Sequence, residues 1–387
     1  MKLKILFIVP SLTVGGMERM QVTLANALYR IGYDITIMLL NPVYDLADDL
    51  DDGIRLIYKP YREFPIRRRL KYIWTFYDDG VWERRVSSKK LHKYYVGKDQ
   101  YDVKIAFFRG LPVKILGFRE KNVKHLAWVH SDFQKAVGYA NNFKSLEAVK
   151  KAYSNYDQVI CVSKEAQCGF EKVIGNTGNL STVYNMLPIE EIKKKAEENP
   201  AIPSKKHTLN LVLVGRLMDS VKGQIRLIHV ISKLVSEKYD VGLNLVGSGV
   251  DEKKIQEAIK KYNLEEQVVL VGNQKNPYPY IKQADVLVCA SYFEGYNLTV
   301  AEALIVGTAV ISTRCTGPCE ILDDGKYGFL VENSEDGLYT GIKALLDQPE
   351  LVNKYKEKAR ERERFFDEKE LLNQILDLIE YRRKDTW

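Results

Sequence analysis

Two glutamates stand eight residues apart in the stretch CASYFEGYNLTVAEALIVGTAVIST, at Glu294 and Glu302. A single helix between them would set them about 12 Å apart at 1.5 Å per residue, but Gly295 argues against an unbroken helix. Strand, turn and helix fit better, with Glu294 at the strand's end and Glu302 in the opening turns of the helix. Amides near Tyr296, Asn297, Leu298 and Thr299 would then form a positive helix N-terminus. An ionised carboxylate only accepts hydrogen bonds, so Glu302 behind that turn suits two neighbouring hydroxyls such as those of a ribose. Glu294 could hold sugar hydroxyls or stabilise positive charge developing at a sugar carbon. Each taken alone also reads as a helix-start acid or a surface carboxylate.

Three further places carry chemistry-bearing residues. In LVLVGRLMDSVKGQIRLI, Arg216 follows an apolar run and Lys222 precedes a helix. That pair suits a diphosphate, since arginine forms a bidentate fork and lysine supplies a mobile point charge; solvated surface cations are the plain alternative. In VPSLTVGGMERM, Gly15 and Gly16 separate a strand from a helix, an arrangement that lets backbone amides approach an anion, or that simply makes a tight turn. It matches neither G-x-G-x-x-G nor a Walker loop. His130 ends the run HLAWVH, where a structural and a catalytic role both stand.

These residues need a scaffold that gathers strand ends. The first half alternates KILFIVP, DITIMLL, IRLIYK, DVKIAFF, HLAWVH, QVICVS and STVYNML with amphipathic stretches, the pattern of parallel strands with crossover helices. Near residue 190 it stops, and EEIKKKAEENPAIPSKKHT reads as an interdomain connection. The alternation restarts with LNLVLVGRL, GLNLVGSG, QVVLVG, VLVCAS, AVISTR and GFLVE. We therefore expect an α/β chain of two doubly wound Rossmann-like domains facing each other across a cleft: residues 1–195, joined by a C-terminal helix at about 368–387, and residues 206–365. That helix carries an apolar stripe of Leu371, Leu372, Ile375, Leu376, Leu378 and Ile379. Ligands of such sheets lie at the strands' carboxyl ends.

Composition narrows the class. A length of 387 residues exceeds one ordinary core. The longest apolar runs fall far short of the roughly 18 residues of a membrane span, and the apolar start lacks the pattern of a cleaved leader. Cys161, Cys168, Cys289, Cys315 and Cys319, an odd set, read as reduced thiols of a cytoplasmic protein. Cys315 and Cys319 lack nearby ligands for zinc, and no metal site is expected. The net charge of +7 is concentrated: residues 59–98 hold twelve Lys or Arg against Glu63, Asp78, Asp79 and Glu83. Interleaved with Trp74, Trp82, Phe64, Phe76 and tyrosines, this segment suits peripheral contact with an anionic membrane face, or a solvated helical face with its aromatics in the core. It matches no nucleic-acid-binding module, so no nucleic-acid partner is expected.

The segments GGMER, VGRLMDSVKG, EGYNLTVAEALIVGTAVIST and GPCEILDDGKYGFLVE resemble, in order and spacing, the GT-B retaining glycosyltransferases of family 4, from Lys2 to about Glu332, with the terminal helix crossing back to the first domain. The resemblance implies a hexosyltransferase-type enzyme moving a sugar from a nucleotide diphosphate sugar, most often a UDP-sugar, to a glycan, lipid-linked or polymer acceptor in bacterial surface polysaccharide or glycoconjugate biosynthesis. It implies Gly16 at the donor diphosphate beside Gly15, with Arg216 and Lys222 neutralising the leaving group. Tyr296 to Thr299 would hold phosphates by backbone, Glu302 the ribose and Glu294 the transferred sugar, with His130 near the reacting carbon. Backbone at Gly272 and Asn273 would read the nucleobase edge, although Pro277 and Pro279 depart from the usual helical start there. It also implies front-face attack with retention and no cofactor or metal. Asp49-Leu50-Asp51 resembles the metal-binding Asp-x-Asp of other transferases but sits in a charged loop, and reads as a turn. Domain closure about residues 190–206 is the expected motion. Two alternatives stay open: a nucleotide-sugar epimerase of similar fold, and a non-catalytic partner protein.

Overall fold

The computed structural model describes residues 2–59, 81–131, 133–134, 141–200 and 206–380. They fall into two compact units, residues 1–186 with 369–387 and residues 187–368.

Unit 1 is built on seven parallel strands: β1 (Lys4–Val9), β2 (Asp34–Leu39), β3 (Arg55–Tyr58), β4 (Val103–Ala106), β5 (Lys124–Val129), β6 (Gln158–Cys161) and β7 (Leu180–Thr182). Their order across the sheet is β3-β2-β1-β4-β5-β6-β7. The inner strands β1, β2, β4, β5 and β6 are largely buried, as a parallel sheet covered by helices requires, whereas the edge strands β3 and β7 are only partly covered. Ile5 to Val9 and Leu126 to Val129 are almost wholly buried. Serines open the flanking helices: Ser163 Oγ accepts from Ala166 N at 3.0 Å, satisfying one of the donors a helix start leaves unpaired.

Unit 2 carries β8 (Leu209–Val214), β9 (Val241–Val246), β10 (Val268–Gly272), β11 (Val286–Cys289), β12 (Ala309–Thr313) and β13 (Phe329–Val331), ordered β10-β9-β8-β11-β12-β13. Its core is a separate cluster around Leu211, Leu213, Leu245, Val288 and Ile311. Each sheet reverses its winding at one place, between β1 and β4 in unit 1 and between β8 and β11 in unit 2. There adjacent loops diverge and leave a crevice at the strands' carboxyl ends.

The division between the units differs from the sequence reading. The division falls at residue 186 rather than 195, because the helix Ile189–Ala196 packs on unit 2. Ile192 and Ala196 are buried there, and Asn276 Nδ2 donates to Lys195 O and Glu198 Oε2, both at 2.8 Å. Residues 201–205 of the expected connection lie outside the described residues. The last helix, Glu368–Glu380, returns to unit 1 as expected, where Tyr33 Oη donates to Glu380 Oε1 at 2.5 Å. Of its six apolar stripe residues, Leu371, Ile375 and Ile379 are buried.

The stretch read as a turn at Asp49-Leu50-Asp51 is a structural clip. Arg30 makes a two-point ion pair with Asp51, at 2.8 and 2.9 Å, and Asn26 Nδ2 donates to Asp49 O. Among the described residues no group of three His, Cys, Asp or Glu side chains is placed to hold a metal, and no helix is long and apolar enough to cross a membrane. The basic segment 59–98 lies in part outside the described residues. Its remainder includes the helix Ser88–Tyr95, which buries Leu91, His92 and Tyr95 and exposes Lys89, Lys90, Lys93 and Tyr94.

Candidate active site

In unit 2 the crevice between β8 and β11 brings together two residues 72 apart in sequence. Lys222 Nζ donates to Glu294 Oε1 at 2.6 Å, and Ser291 Oγ donates to the same oxygen at 2.6 Å. The pair is mostly covered, with Lys222 and Glu294 side chains 20% and 10% exposed. Burial alone would lower the lysine's pKa, but the carboxylate outweighs it and the net shift is upward. Among the described residues no partner falls on Glu294 Oε2, so one oxygen is anchored twice and the other is presented.

The geometry follows from local sequence. Lys222 ends the single helical turn Asp219–Lys222, and Gly223 continues at φ +66, a left-handed conformation that favours glycine. A Cβ there would lie 2.2 Å from Ala290 O, so the bare backbone lets the next helix, Gln224–Ser236, abut the end of β11. From that helix Arg226, 5% exposed, donates through Nε at 2.8 Å and through Nη2 to Ala290 O, and its guanidinium lies 3.9 Å from the Tyr292 ring centre. Tyr292 N donates to Val221 O at 2.8 Å. Residues 290–292, which lead into Glu294, are thus fixed from the lysine's side. Arg226 and Ser291 were not singled out in the sequence, where one reads as a helix-surface cation and the other as a turn serine.

The turn after Glu294 is the expected one. Asn297 sits at φ +74 and caps the helix Leu298–Ile305, accepting from Val300 N at 3.3 Å and from Thr299 Oγ1 at 2.7 Å, while its amide donates to Cys289 Sγ at 3.1 Å. Tyr296 is buried and Glu302 is buried within that helix. Arg216 is exposed after β8, and its guanidinium has no recorded partner among the described residues. Gly272 closes β10 at φ +78, followed by exposed Asn273. Pro277 and Pro279 stand at the start of the helix Tyr278–Gln283, where a missing N–H costs nothing.

In unit 1 the glycine pair has a local reason. Gly15 caps the helix Gly16–Arg30, and the Glu18 carboxylate folds back over it, so that a Cβ on Gly15 would lie 2.4 Å from Oε2. Thr13 Oγ1 donates to the other oxygen, Oε1, at 3.2 Å. A carboxylate three residues into a helix is half of a capping box. His130 follows β5; its ring nitrogen Nε2 lies 2.9 Å from Phe107 O, and the Phe107 ring centre is 4.7 Å away. A carbonyl only accepts, so Nε2 carries the proton. Burial, aided by the Arg109 charge, brings the histidine down to about 4, which keeps it neutral near pH 7 with Nδ1 bare. The structure therefore joins Lys222 to Glu294 within unit 2, near Asn297, and sets Gly15, Gly16 and His130 at the strand ends of unit 1.

The family profile described as "Glycosyltransferase Family 4" matches residues 14–191, and that described as "Glycosyl transferases group 1" matches residues 194–362. The chain belongs to the family 4 glycosyltransferases. It is 32% identical over 248 residues to a Campylobacter jejuni enzyme named N-acetylgalactosamine-N,N'-diacetylbacillosaminyl-diphospho-undecaprenol 4-alpha-N-acetylgalactosaminyltransferase, covering 62% of this chain and 65% of that one. It is 30% identical over 235 residues to the poly(glycerol-phosphate) alpha-glucosyltransferase of Bacillus subtilis, covering 60% of this chain and 34% of that one. These matches span less than two thirds of either relative's length. The architecture is the two-domain GT-B fold, shared with the crystal structure of Anabaena HepE in complex with UDP-glucose at a TM-score of 0.74, 18% identity, and coverage of 97% and 99% of the two chains.

Proposed function

We propose that this chain is a glycosyltransferase that moves a sugar from a nucleotide diphosphate sugar, with UDP-sugars favoured, to a glycan, lipid-linked or polymer acceptor of a bacterial surface polysaccharide or glycoconjugate. The observation that carries the reading is the Lys222–Glu294 pair at the β8/β11 crevice of unit 2. A diphosphate leaving group develops negative charge on its bridging oxygen, and the sugar carbon becomes positive. In this reading Lys222 and the unpartnered Arg216 meet the first charge in a site that is already polar and partly dry. Glu294 keeps one oxygen for Lys222 and Ser291 and offers the other to the sugar's hydroxyls. Glu302 takes the ribose, and the amides of 296–299 and the backbone at Gly272 and Asn273 take phosphates and base.

In this reading Lys222 and Arg216 do work that a metal does in other transferases, so transfer proceeds without one, and the acceptor attacks from the face the leaving group departs, which gives retention without a protein nucleophile. In unit 1 the Gly15 and Gly16 amides are assigned to the donor and neutral His130 offers Nδ1 to a sugar hydroxyl. The C. jejuni relative's name specifies a lipid-linked diphosphate and the B. subtilis relative's a phosphate polymer, which supports an acceptor of one of these kinds. The exposed lysines of Ser88–Tyr95 support peripheral contact with an anionic cytoplasmic membrane face.

A thermal-shift series with UDP, GDP, ADP and TDP, each with and without EDTA, tests the reading. A nucleotide at a hundred times its dissociation constant stabilises by about 2.7 kcal/mol. UDP is expected to raise the midpoint equally with and without EDTA. No shift with any nucleotide sinks the donor assignment, and a UDP shift that EDTA abolishes sinks the metal-free one.

A further inference from the structure

The crevice of unit 1, between the β1 and β4 loops, holds a cation that the sequence reading did not use. Arg109 follows β4 at this reversal point, two residues after Phe107, whose carbonyl holds His130. It is exposed, yet its position is fixed: Nη1 donates to Ser131 Oγ at 2.9 Å, on the loop after the neighbouring strand β5. Among the described residues no carboxylate pairs with it. Because Ser131 Oγ accepts from the arginine, its own hydrogen is left to donate to a ligand, and the guanidinium keeps its other N–H groups for the same ligand. His130 beside it is neutral near pH 7, so it brings no second charge to the site. A tethered fork with a hydroxyl held 2.9 Å from it at a strand-end crevice suits an anion with several oxygens.

We propose that Arg109 and Ser131 bind a phosphate group carried by the acceptor, a proposal that rests on the transferase reading for the word acceptor but not for the anion site itself. The phosphate belongs to a lipid-linked diphosphate or to a phosphodiester polymer, which share this chemistry. Arg109 grips two phosphate oxygens, Ser131 a third, and the hydroxyl to be glycosylated lies further along the acceptor.

The test uses the full chain saturated with UDP, so that unit 2's anion site is filled first. Geranyl diphosphate and glycerophosphoglycerol are titrated separately, with glycerol and glucuronic acid as controls. Binding is read by calorimetry and by the arginine Nε–Hε signals in NMR spectra, for wild type, Arg109→Gln and Arg109→Lys. At least one phosphate probe is expected to bind the wild type and shift the Arg109 signal, to bind Arg109→Gln about tenfold or more weakly, and to bind Arg109→Lys in between. The tighter of the two probes identifies the source. UDP affinity and the thermal midpoint are expected to be the same in all three proteins. The proposal is overturned if neither phosphate probe binds, if Arg109→Gln binds as well as wild type, or if glucuronic acid or glycerol binds as tightly as the phosphates. Failure of the wild type to bind UDP would instead strike the transferase reading, and the phosphate titrations without UDP would still decide this one.

Discussion

Replacing Lys222 while leaving Glu294 in place strands a carboxylate that is only 10% exposed. Lys222→Ala therefore acts on the fold as well as on any leaving-group role, because its Nζ lies 2.6 Å from Glu294 Oε1. Breaking a buried pair by removing one partner costs about 3–5 kcal/mol. Some water reaches this pair and Ser291 still donates to the same oxygen, so we expect about 2–4 kcal/mol. For a unit of this size each kcal/mol moves the melting midpoint by roughly 2–4 °C, giving a drop of roughly 4–16 °C in unit 2.

The double variant Lys222→Ala/Glu294→Gln removes both charges and is expected to recover most of that loss, a coupling of about 1.5–3 kcal/mol in a double-mutant cycle. Glu294→Gln alone releases Lys222 to a diphosphate and is expected to tighten UDP several-fold while transfer falls by at least about a hundredfold. Lys222's raised pKa sets the alkaline behaviour. The pair's contribution is whole below the lysine's ordinary pKa of about 10.5 and is lost as pH rises through the higher folded value. Wild type should therefore lose stability there more steeply than the double variant. Denaturant unfolding and UDP calorimetry read these outcomes. Additive single-variant effects, or weaker UDP binding by Glu294→Gln, would refute the reasoning.

Three other predictions follow from described contacts. In unit 1, Lys104 Nζ donates to His92 Nε2 at 2.8 Å, and burial first, then the lysine's charge, brings His92 down to about 4. The unfolded chain takes up a proton first, so stability is whole above pH 6.5 and falls by about 3 kcal/mol as pH drops toward 4; urea unfolding of His92→Gln should lose this slope, and an unchanged slope would place the acid sensitivity elsewhere. Arg226→Met leaves the Ala290 carbonyl unsatisfied and should cost about 2–3 kcal/mol, with transfer falling more than UDP affinity; equal losses in both would show that Arg226 does not act through the Glu294 loop. Gly223→Ala places a methyl 2.2 Å from Ala290 O at φ +66 and should cost more than about 2 kcal/mol by thermal unfolding, whereas a neutral result would mean that the junction gives way.

What the sequence made legible was local. Apolar runs named the strands, and Gly295 named the turn that leads into Leu298–Ile305, where the structure adds Asn297 as the cap. It placed Lys222 and Glu294 each at a strand's carboxyl end, but not beside each other: their meeting depends on β8 lying next to β11, which no spacing encodes. The paired glycines suggested an anion, and the structure already sets the Glu18 carboxylate over Gly15, so a donor phosphate that reaches the Gly15 and Gly16 amides has to displace it. Ile189–Ala196 was hidden in a Lys/Glu run, where two buried side chains suffice to dock a short helix. Arg226 and Arg109 look like any surface cation until the carbonyl or hydroxyl that each one meets is known.

The return of Glu368–Glu380 to unit 1 makes unit 2 an insertion in the chain of its neighbour. All of residues 187–368 leave the ribosome before the last helix of unit 1 has been made. At roughly 5–20 residues per second, unit 2 has a complete sequence to fold while unit 1 still awaits Leu371, Ile375 and Ile379. Until they arrive, the apolar surface that this helix covers is bare on the nascent chain, so a stalled or truncated product ending near residue 368 would carry a finished unit 2 and an adhesive unit 1.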